Sequence, residues 1–329
     1  MLEHGGQLRA AAARYNIPAG QWLDLSTGIN PQGYMPPAIP PDAWSRLPQD
    51  DDGLVQVAAS CYGTSDVLPV AGSQAAIQAL PRLRVSCRVG VLHPGYAEHA
   101  HAWRNAGHDV MALAADEIDA RLDGLAVLVV MNPNNPTGAT FTTAQLYGWH
   151  QRLAARGGWL VVDEAFIEAT QLGSMAQARM PEGLIVLRSL GKFFGLAGAR
   201  VGFVLAHAAL RNALCDLLGP WTLPGPSRYV AQTALNDHAW QAATRARLLR
   251  DGARLAQLLR AAGLPPAGGC GLFQWVKTES AEALHQGLAQ RGIFTRYFDQ
   301  PQSLRFGLPG SEQNWQRLVD ALVVQECAA

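Results

Sequence analysis

The sequence predicts an α/β protein: a three-layer domain around a mostly parallel sheet, followed by a smaller α+β C-terminal domain. Three observations predict it. Short Val- and Leu-rich runs recur through the middle of the chain, helical patterns separate them, and the texture changes after Trp221. The runs are Cys87–Leu92, Leu125–Met131, Trp159–Val162, Leu184–Leu187 and Val201–Leu205, with Gly, Pro or Asn close to their ends. Continuous apolar runs of that length suit strands buried on both faces of a parallel sheet. Ser73–Leu83, Tyr96–Ala106 and Thr142–Ala155 carry the helical patterns between them. Strand–helix alternation is what a parallel sheet requires.

Beyond Trp221, Pro224, Gly225 and Pro226 break the chain, and two helical stretches follow, the second around Ala239–Ala262. Gly263, Pro265, Pro266 and Gly268–Gly271 break it again. Strands are expected at Phe273–Lys277 and Ser303–Leu308, helices near Ala281–Arg291 and from Glu312. The segment up to about Pro48 is rich in Pro and Gly and reads as irregular. The expected division is an N-terminal segment 1–47, a large domain 48–238 and a small domain 239–329. A length of 329 residues fits two domains at roughly 150 residues each.

Lys+Arg and Asp+Glu both number 26, so the balance gives no electrostatic case for nucleic acid or an anionic membrane. No uncharged apolar run approaches the roughly 18 residues of a membrane span, and MLEHGGQLRA has no signal-peptide core. The five cysteines, Cys61, Cys87, Cys215, Cys270 and Cys327, show no CxxC spacing. They read as reduced thiols of a cytoplasmic protein, with no metal site.

Four segments carry chemistry together. In Arg188-Ser-Leu-Gly-Lys-Phe-Phe-Gly-Leu-Ala-Gly-Ala-Arg200, a lysine follows a buried strand inside a glycine-rich turn, and lysine is rare elsewhere. Apolar neighbours disfavour its charged form and make Lys192 a nucleophile toward an aldehyde. Ser189 and Arg200 flank it with donors suited to a phosphate. Asp163-Glu-Ala-Phe166 puts a carboxylate at the carboxyl end of a strand, where open α/β sheets bind ligands. Asn132-Pro-Asn-Asn-Pro-Thr-Gly138 fixes a rigid loop after another strand. Ala71-Gly72-Ser73-Gln74 opens a helix with small residues that let backbone approach an anion.

In combination these motifs resemble the class I/II aminotransferase superfamily of fold type I pyridoxal-phosphate (PLP) enzymes, nearest the histidinol-phosphate aminotransferase branch, over essentially the whole chain. The resemblance implies an aminotransferase-like fold, PLP as cofactor and a homodimer. It implies that Lys192 is the Schiff-base lysine, that Asp163 pairs with the pyridine nitrogen and that Asn135 bonds the phenolic oxygen. Gly72, Ser73, Gln74, Ser189 and Arg200 would bind the cofactor phosphate, and Tyr96 would stack on the ring. Arg305, in Leu304-Arg-Phe-Gly, matches the arginine that grips a substrate carboxylate, and Arg296, in Phe294-Thr-Arg, a position that binds a substrate phosphate. Two positions depart from the pattern. Phe166 stands where many relatives have Tyr, and Leu47-Pro-Gln where many have Tyr-Pro-Asp, which supplies a tyrosine to the neighbouring subunit's cofactor.

The N-terminus narrows the reaction. His4-Gly5-Gly6, Asp24-Leu-Ser-Thr-Gly-Ile-Asn30-Pro31, Arg46-Leu-Pro and Gly72-Ser-Gln-Ala-Ala-Ile-Gln-Ala-Leu-Pro81 resemble the aerobic-pathway threonine-phosphate decarboxylases of cobalamin biosynthesis. That resemblance implies decarboxylation of L-threonine O-3-phosphate to (R)-1-amino-2-propanol O-2-phosphate, with His4, Gly5, Gly6 and Asn30 touching substrate. An aminotransferase of the histidinol-phosphate type is the alternative. A non-catalytic PLP-fold regulator is a third reading, against which stand the absence of a basic patch and of room for a DNA-binding domain. His93, His99, His101 and His108 lack ligand spacing and read as surface or satisfied core histidines. Trp103, Trp149, Trp159, Trp240 and Trp275 read as packing residues, and Arg245–Arg260 as a solvated helix face.

Overall fold

A computed structural model describes residues 4–326. The chain forms two compact units. One holds the residues up to Gln32, Pro136–Gly138 and the chain from Thr244; the other holds Gly33–Asn135 and Ala139–Ala243. A two-residue strand, β1 (Leu23–Asp24), comes first. Seven strands then build the main sheet: β2 (Val67–Val70), β3 (Arg88–Leu92), β4 (Asp109–Leu113), β5 (Val127–Met131), β6 (Trp159–Asp163), β7 (Leu184–Ser189) and β8 (Gly202–Ala206). Five short strands follow: β9 (Gly268–Cys270), β10 (Phe273–Lys277), β11 (Ile293–Phe294), β12 (Arg296–Phe298) and β13 (Ser303–Gly307).

The main sheet lies wholly in the second unit, in the order β2-β8-β7-β6-β5-β3-β4. Its neighbours are parallel except β8, which runs antiparallel to β2 and β7. Every residue of β5, β7 and β8 is buried, as their unbroken apolar sequences require. Val127, Val129, Val161, Ile185, Leu187 and Val204 form a core with Ile77, Leu80, Trp103 and Leu214 from the helices. Each such side chain contributes about 1.5–3 kcal/mol. Helix Thr143–Ala154 starts at a capping box, in which Thr142 Oγ1 accepts from Gln145 N at 3.2 Å and Gln145 Oε1 accepts from Thr142 N at 3.0 Å.

The first unit has a four-stranded antiparallel sheet, β12-β13-β10-β9, and a parallel pair, β1 with β11. Helix Ala281–Gln290 packs on β12 and β13. The N-terminal segment departs from the irregular structure expected of it: Leu8–Tyr15 is a helix that ends on Asn16 in the left-handed region (φ 53°). Its sequence, LRAAAARY, carries high propensity but no apolar stripe, and Ala11 alone is buried. The half-exposed edge strand β4 was likewise not among the expected runs. Among the described residues no helix is long and apolar enough to cross a membrane.

Candidate active site

The carboxyl ends of the parallel strands carry the candidate cofactor residues. Asp163 and Ser189 are the last residues of β6 and β7. Asn132–Asn135 follow β5, Gly72 and Ser73 come just after β2, and Tyr96 follows β3. Lys192 and Arg200 lie in the connection from β7 to β8. Because β8 runs backwards, that connection begins and ends at the same edge, with Ser189 opposite Gly202. All the cofactor candidates belong to the second unit, and all the substrate candidates to the first.

Both Asp163 oxygens are held. Oδ1 accepts from Ala165 N at 3.0 Å, and Oδ2 lies 2.9 Å from His99 Nε2, with both side chains buried. His99 is thus a satisfied core histidine, as its spacing suggested, and its partner is the acid on which the site depends. Nothing local in the sequence connects the two. Tyr96 sets its ring edge-on to His99 at 6.0 Å. Burial, then Glu98 and Asp163, push its phenol up to about 12, so it stays protonated. Lys192 Nζ lies over the Phe166 ring, 5.6 Å from its centroid, at one of the two positions that depart from the expected pattern.

The residues expected to bind the cofactor phosphate lie together after β2 and before β8. Gly72 has φ 70°, and a Cβ on it would meet Arg200 Nη2 at 2.8 Å. A side chain on Gly202 would collide with the backbone N–H of Ser73. Arg200 itself is in the left-handed region (φ 54°). Ser189 Oγ accepts from Gly191 N at 3.1 Å, which leaves its own proton free to donate. The Gln74 side chain donates to Glu98 at 2.8 Å and accepts from Tyr96 Oη at 3.3 Å, so the backbone is the part of Gln74 that could serve an anion. In the asparagine loop, the Asn132 side chain exchanges two bonds with the backbone of Phe141, and Asn134 Nδ2 donates to Pro94 O at 2.7 Å. Those two are buried and brace the loop, while Asn135 is half-buried. Guanidinium, hydroxyl, backbone donors, a lysine and a braced acid together fit pyridoxal phosphate.

In the first unit, several of the substrate candidates meet at Ser26. Arg305 and Arg296 are register partners on β13 and β12, so their side chains share a face. Arg305 is buried, donates to Ser26 O at 2.6 Å and lies over the Phe273 ring at 5.3 Å. Gly6 N donates to Ser26 Oγ at 2.8 Å, and Ser26 Oγ donates to Asp24 Oδ1 at 2.6 Å. Gly5 lies so close to Ser26 O that no side chain would fit there, and Gly6 has φ 81°, a conformation that favours glycine. His4, Gly5, Ser26 and Arg296 line a cavity of about 340 Å³ that also takes in Arg14, Tyr15 and His285. Buried Asn30 accepts through Oδ1 from Gln32 N at 3.0 Å and from Arg247 Nη2 at 3.1 Å. Arg247 therefore departs from the solvated face expected of the Arg-rich helix.

A mostly parallel sheet with a lysine, an acid and an anion cradle at its carboxyl edge defines a fold type I PLP-enzyme scaffold. The chain belongs to the class I and II aminotransferase family, whose model matches residues 52–322. It is 58% identical to a threonine-phosphate decarboxylase from Pseudomonas aeruginosa over 98% of each chain. A threonine-phosphate decarboxylase from a Sinorhizobium species is 42% identical, over 99% of this chain and 98% of the other. A histidinol-phosphate aminotransferase from Shewanella amazonensis is more distant, at 31% identity over 85% and 83% of the two chains. Among solved structures, histidinol-phosphate aminotransferase from Sinorhizobium meliloti in complex with pyridoxal-5'-phosphate matches with a TM-score of 0.80. That match covers 98% of this chain and 94% of the other at 20% identity, so it bears on the fold.

Proposed function

We propose that this chain is a PLP-dependent carboxy-lyase that converts L-threonine O-3-phosphate to (R)-1-amino-2-propanol O-2-phosphate and carbon dioxide, a step of cobalamin biosynthesis. The observation that carries the reading is the 58% identity, over 98% of both chains, to a threonine-phosphate decarboxylase. Bound in the site, PLP supplies a ring that accepts the electrons left when a bond to the substrate's Cα breaks.

The chain's own residues do the rest. Lys192 Nζ would hold the cofactor covalently and would supply a proton to Cα after carbon dioxide leaves. Asp163, oriented by His99 and Ala165 N, holds the proton on the ring nitrogen. Arg200, Ser189 and the Gly72–Gln74 backbone anchor the cofactor phosphate. Arg305 and Arg296, on one face of adjacent strands, take the anionic groups of the substrate, with His4, Gly5, Gly6 and Asn30 beside them in the same unit. Anchoring both ends selects the bond to the carboxylate for cleavage.

The reading extends to a cytoplasmic homodimer. Met35, Trp44, Leu47 and Trp221 are large apolar side chains left exposed on the second unit, as a subunit interface would use them. Cys61, Cys87, Cys215 and Cys270 form no disulfide, in keeping with a reducing compartment, and Cys327 lies outside the described residues.

The test is a product assay without any 2-oxo acid. Carbon dioxide and the amino-alcohol phosphate should form from L-threonine O-3-phosphate, and Lys192→Ala should lose turnover and the borohydride-trapped cofactor adduct. Glutamate formation from histidinol phosphate and 2-oxoglutarate, with no carbon dioxide release, would establish the aminotransferase instead.

A further inference from the structure

Behind the cofactor candidates lies a buried ionic cluster to which they assign no role. Arg188 Nη1 donates to Glu164 Oε2 and Nη2 to Glu168 Oε1, each at 2.8 Å. Side-chain exposures are 8% for the arginine and 0% and 6% for the two carboxylates. Ser174 Oγ donates to Glu164 Oε2 at 2.6 Å, and Met175 N donates to its Oε1 at 2.7 Å. The Tyr62 ring closes the cluster, with the Arg188 guanidinium 4.6 Å from its centroid.

The place of this cluster in the chain matters more than its strength. Glu164 is the residue after Asp163, and Glu168 lies in the short helical turn that follows. Arg188 is the residue before Ser189, on the strand that leads into Lys192. Alternation along β7 turns Arg188 and Ser189 to opposite faces, so Arg188 acts from behind the ligand's side of the sheet. The Arg188 carbonyl also faces Gly202, whose missing side chain leaves room for Ser73 N. One residue thus borders all three loops that carry the acid, the tether and the cradle.

A buried ion pair is poor value for stability, since an apolar trio of equal volume would fill the space as well. What the planar fork adds is direction, because two separate carboxylates fix both its rotation and their own. We propose that Arg188 is a positioning residue: by gripping Glu164 and Glu168 together, it holds Asp163 in register with Ser189 and Lys192. This rests on the PLP reading of the site.

Full-length Arg188→Met, Arg188→Lys and Glu168→Gln proteins test it. The measurements are PLP affinity of the apoprotein, pH titration of the bound cofactor's visible absorption, and thermal unfolding. Arg188→Met should bind PLP about tenfold or more weakly and shift the absorption titration, by analogy with losses seen when groups behind a bound centre are removed. Arg188→Lys, which keeps the charge but loses the fork, should fall in between. Wild-type affinity and an unmoved titration in a folded Arg188→Met protein would overturn the proposal and leave the function intact. If that variant does not fold, Glu168→Gln decides. It keeps the Glu164 arm and should weaken PLP binding about threefold, and wild-type behaviour there would overturn the proposal as well. A wild-type protein that takes up no PLP would instead bring down the functional reading, and this one with it.

Discussion

Arg188 and Arg305 are equally buried guanidiniums, at 7% and 6% exposure, with opposite electrostatic settings. Burial alone would make Arg188 easier to deprotonate, but Glu168 and Glu164 outweigh it and hold the side chain more firmly cationic than a free arginine. At Arg305, burial and then Arg296 push the pKa down to about 10, against the weaker pull of Cys270 and Asp24. It remains cationic at neutral pH, but its surroundings resist the charge. A cation gripped by two carboxylates organises structure; a cation whose surroundings resist its charge gains most from an incoming anion. The first sits beneath the candidate cofactor loops, and the second shares a strand face with another arginine.

The difference can be broken by mutation. Arg305→Ala should have the largest effect on turnover, lowering kcat/KM for threonine phosphate by about a hundredfold or more, since losing one partner of a desolvated charge pair costs about 2–5 kcal/mol. Its melting temperature should fall less than that of Arg188→Met, because the lost packing and Ser26 contact are partly offset by removal of a charge that the surroundings resist. Arg188→Met leaves two carboxylates together without their cation and should cost about 3–5 kcal/mol, measurable by denaturant unfolding. A stability loss at Arg305 as large as that at Arg188 would erase the distinction.

A smaller effect sharpens it. L-Threonine O-3-phosphate at about 100 times its Kd should raise the stability of the wild-type protein by about 2.7 kcal/mol, and Arg305→Ala should show far less of that shift at the same concentration. The smallest effect concerns Glu164. Burial raises its pKa despite the opposing Arg188. Its contribution to stability is therefore present in full below its unfolded pKa and lost as pH rises through the folded one. Glu164→Gln should cost about 1 kcal/mol at low pH and flatten that part of the stability–pH curve.

The sheet was legible because β5, β6, β7 and β8 are buried on both faces, and their apolar runs have no other use. Asp163, Lys192 and Arg200 could be singled out as candidates because each lies at or near the end of such a run. Helix Leu8–Tyr15 was not, since its Ala-rich sequence has one buried residue and therefore no stripe to read. The role of His99 was hidden because its partner lies on another strand, reached only through the fold. Glu164, Glu168 and Arg188 were hidden differently: charged residues read as solvated until a structure shows them burying one another. Of the tryptophans assigned to packing, Trp103, Trp149 and Trp275 are buried, and Trp240 stacks on Phe194 at 5.6 Å.

One strand of the main sheet runs against the rest. Its reversal lets a single short stretch, from Ser189 through Lys192 to Arg200, leave the sheet and return to it at one edge. The candidate tether and two of the candidate anchors, Ser189 and Arg200, thereby share one heritable block, copied or lost together. A lineage that alters which bond is broken has every reason to leave that block alone and to write the change elsewhere in the chain.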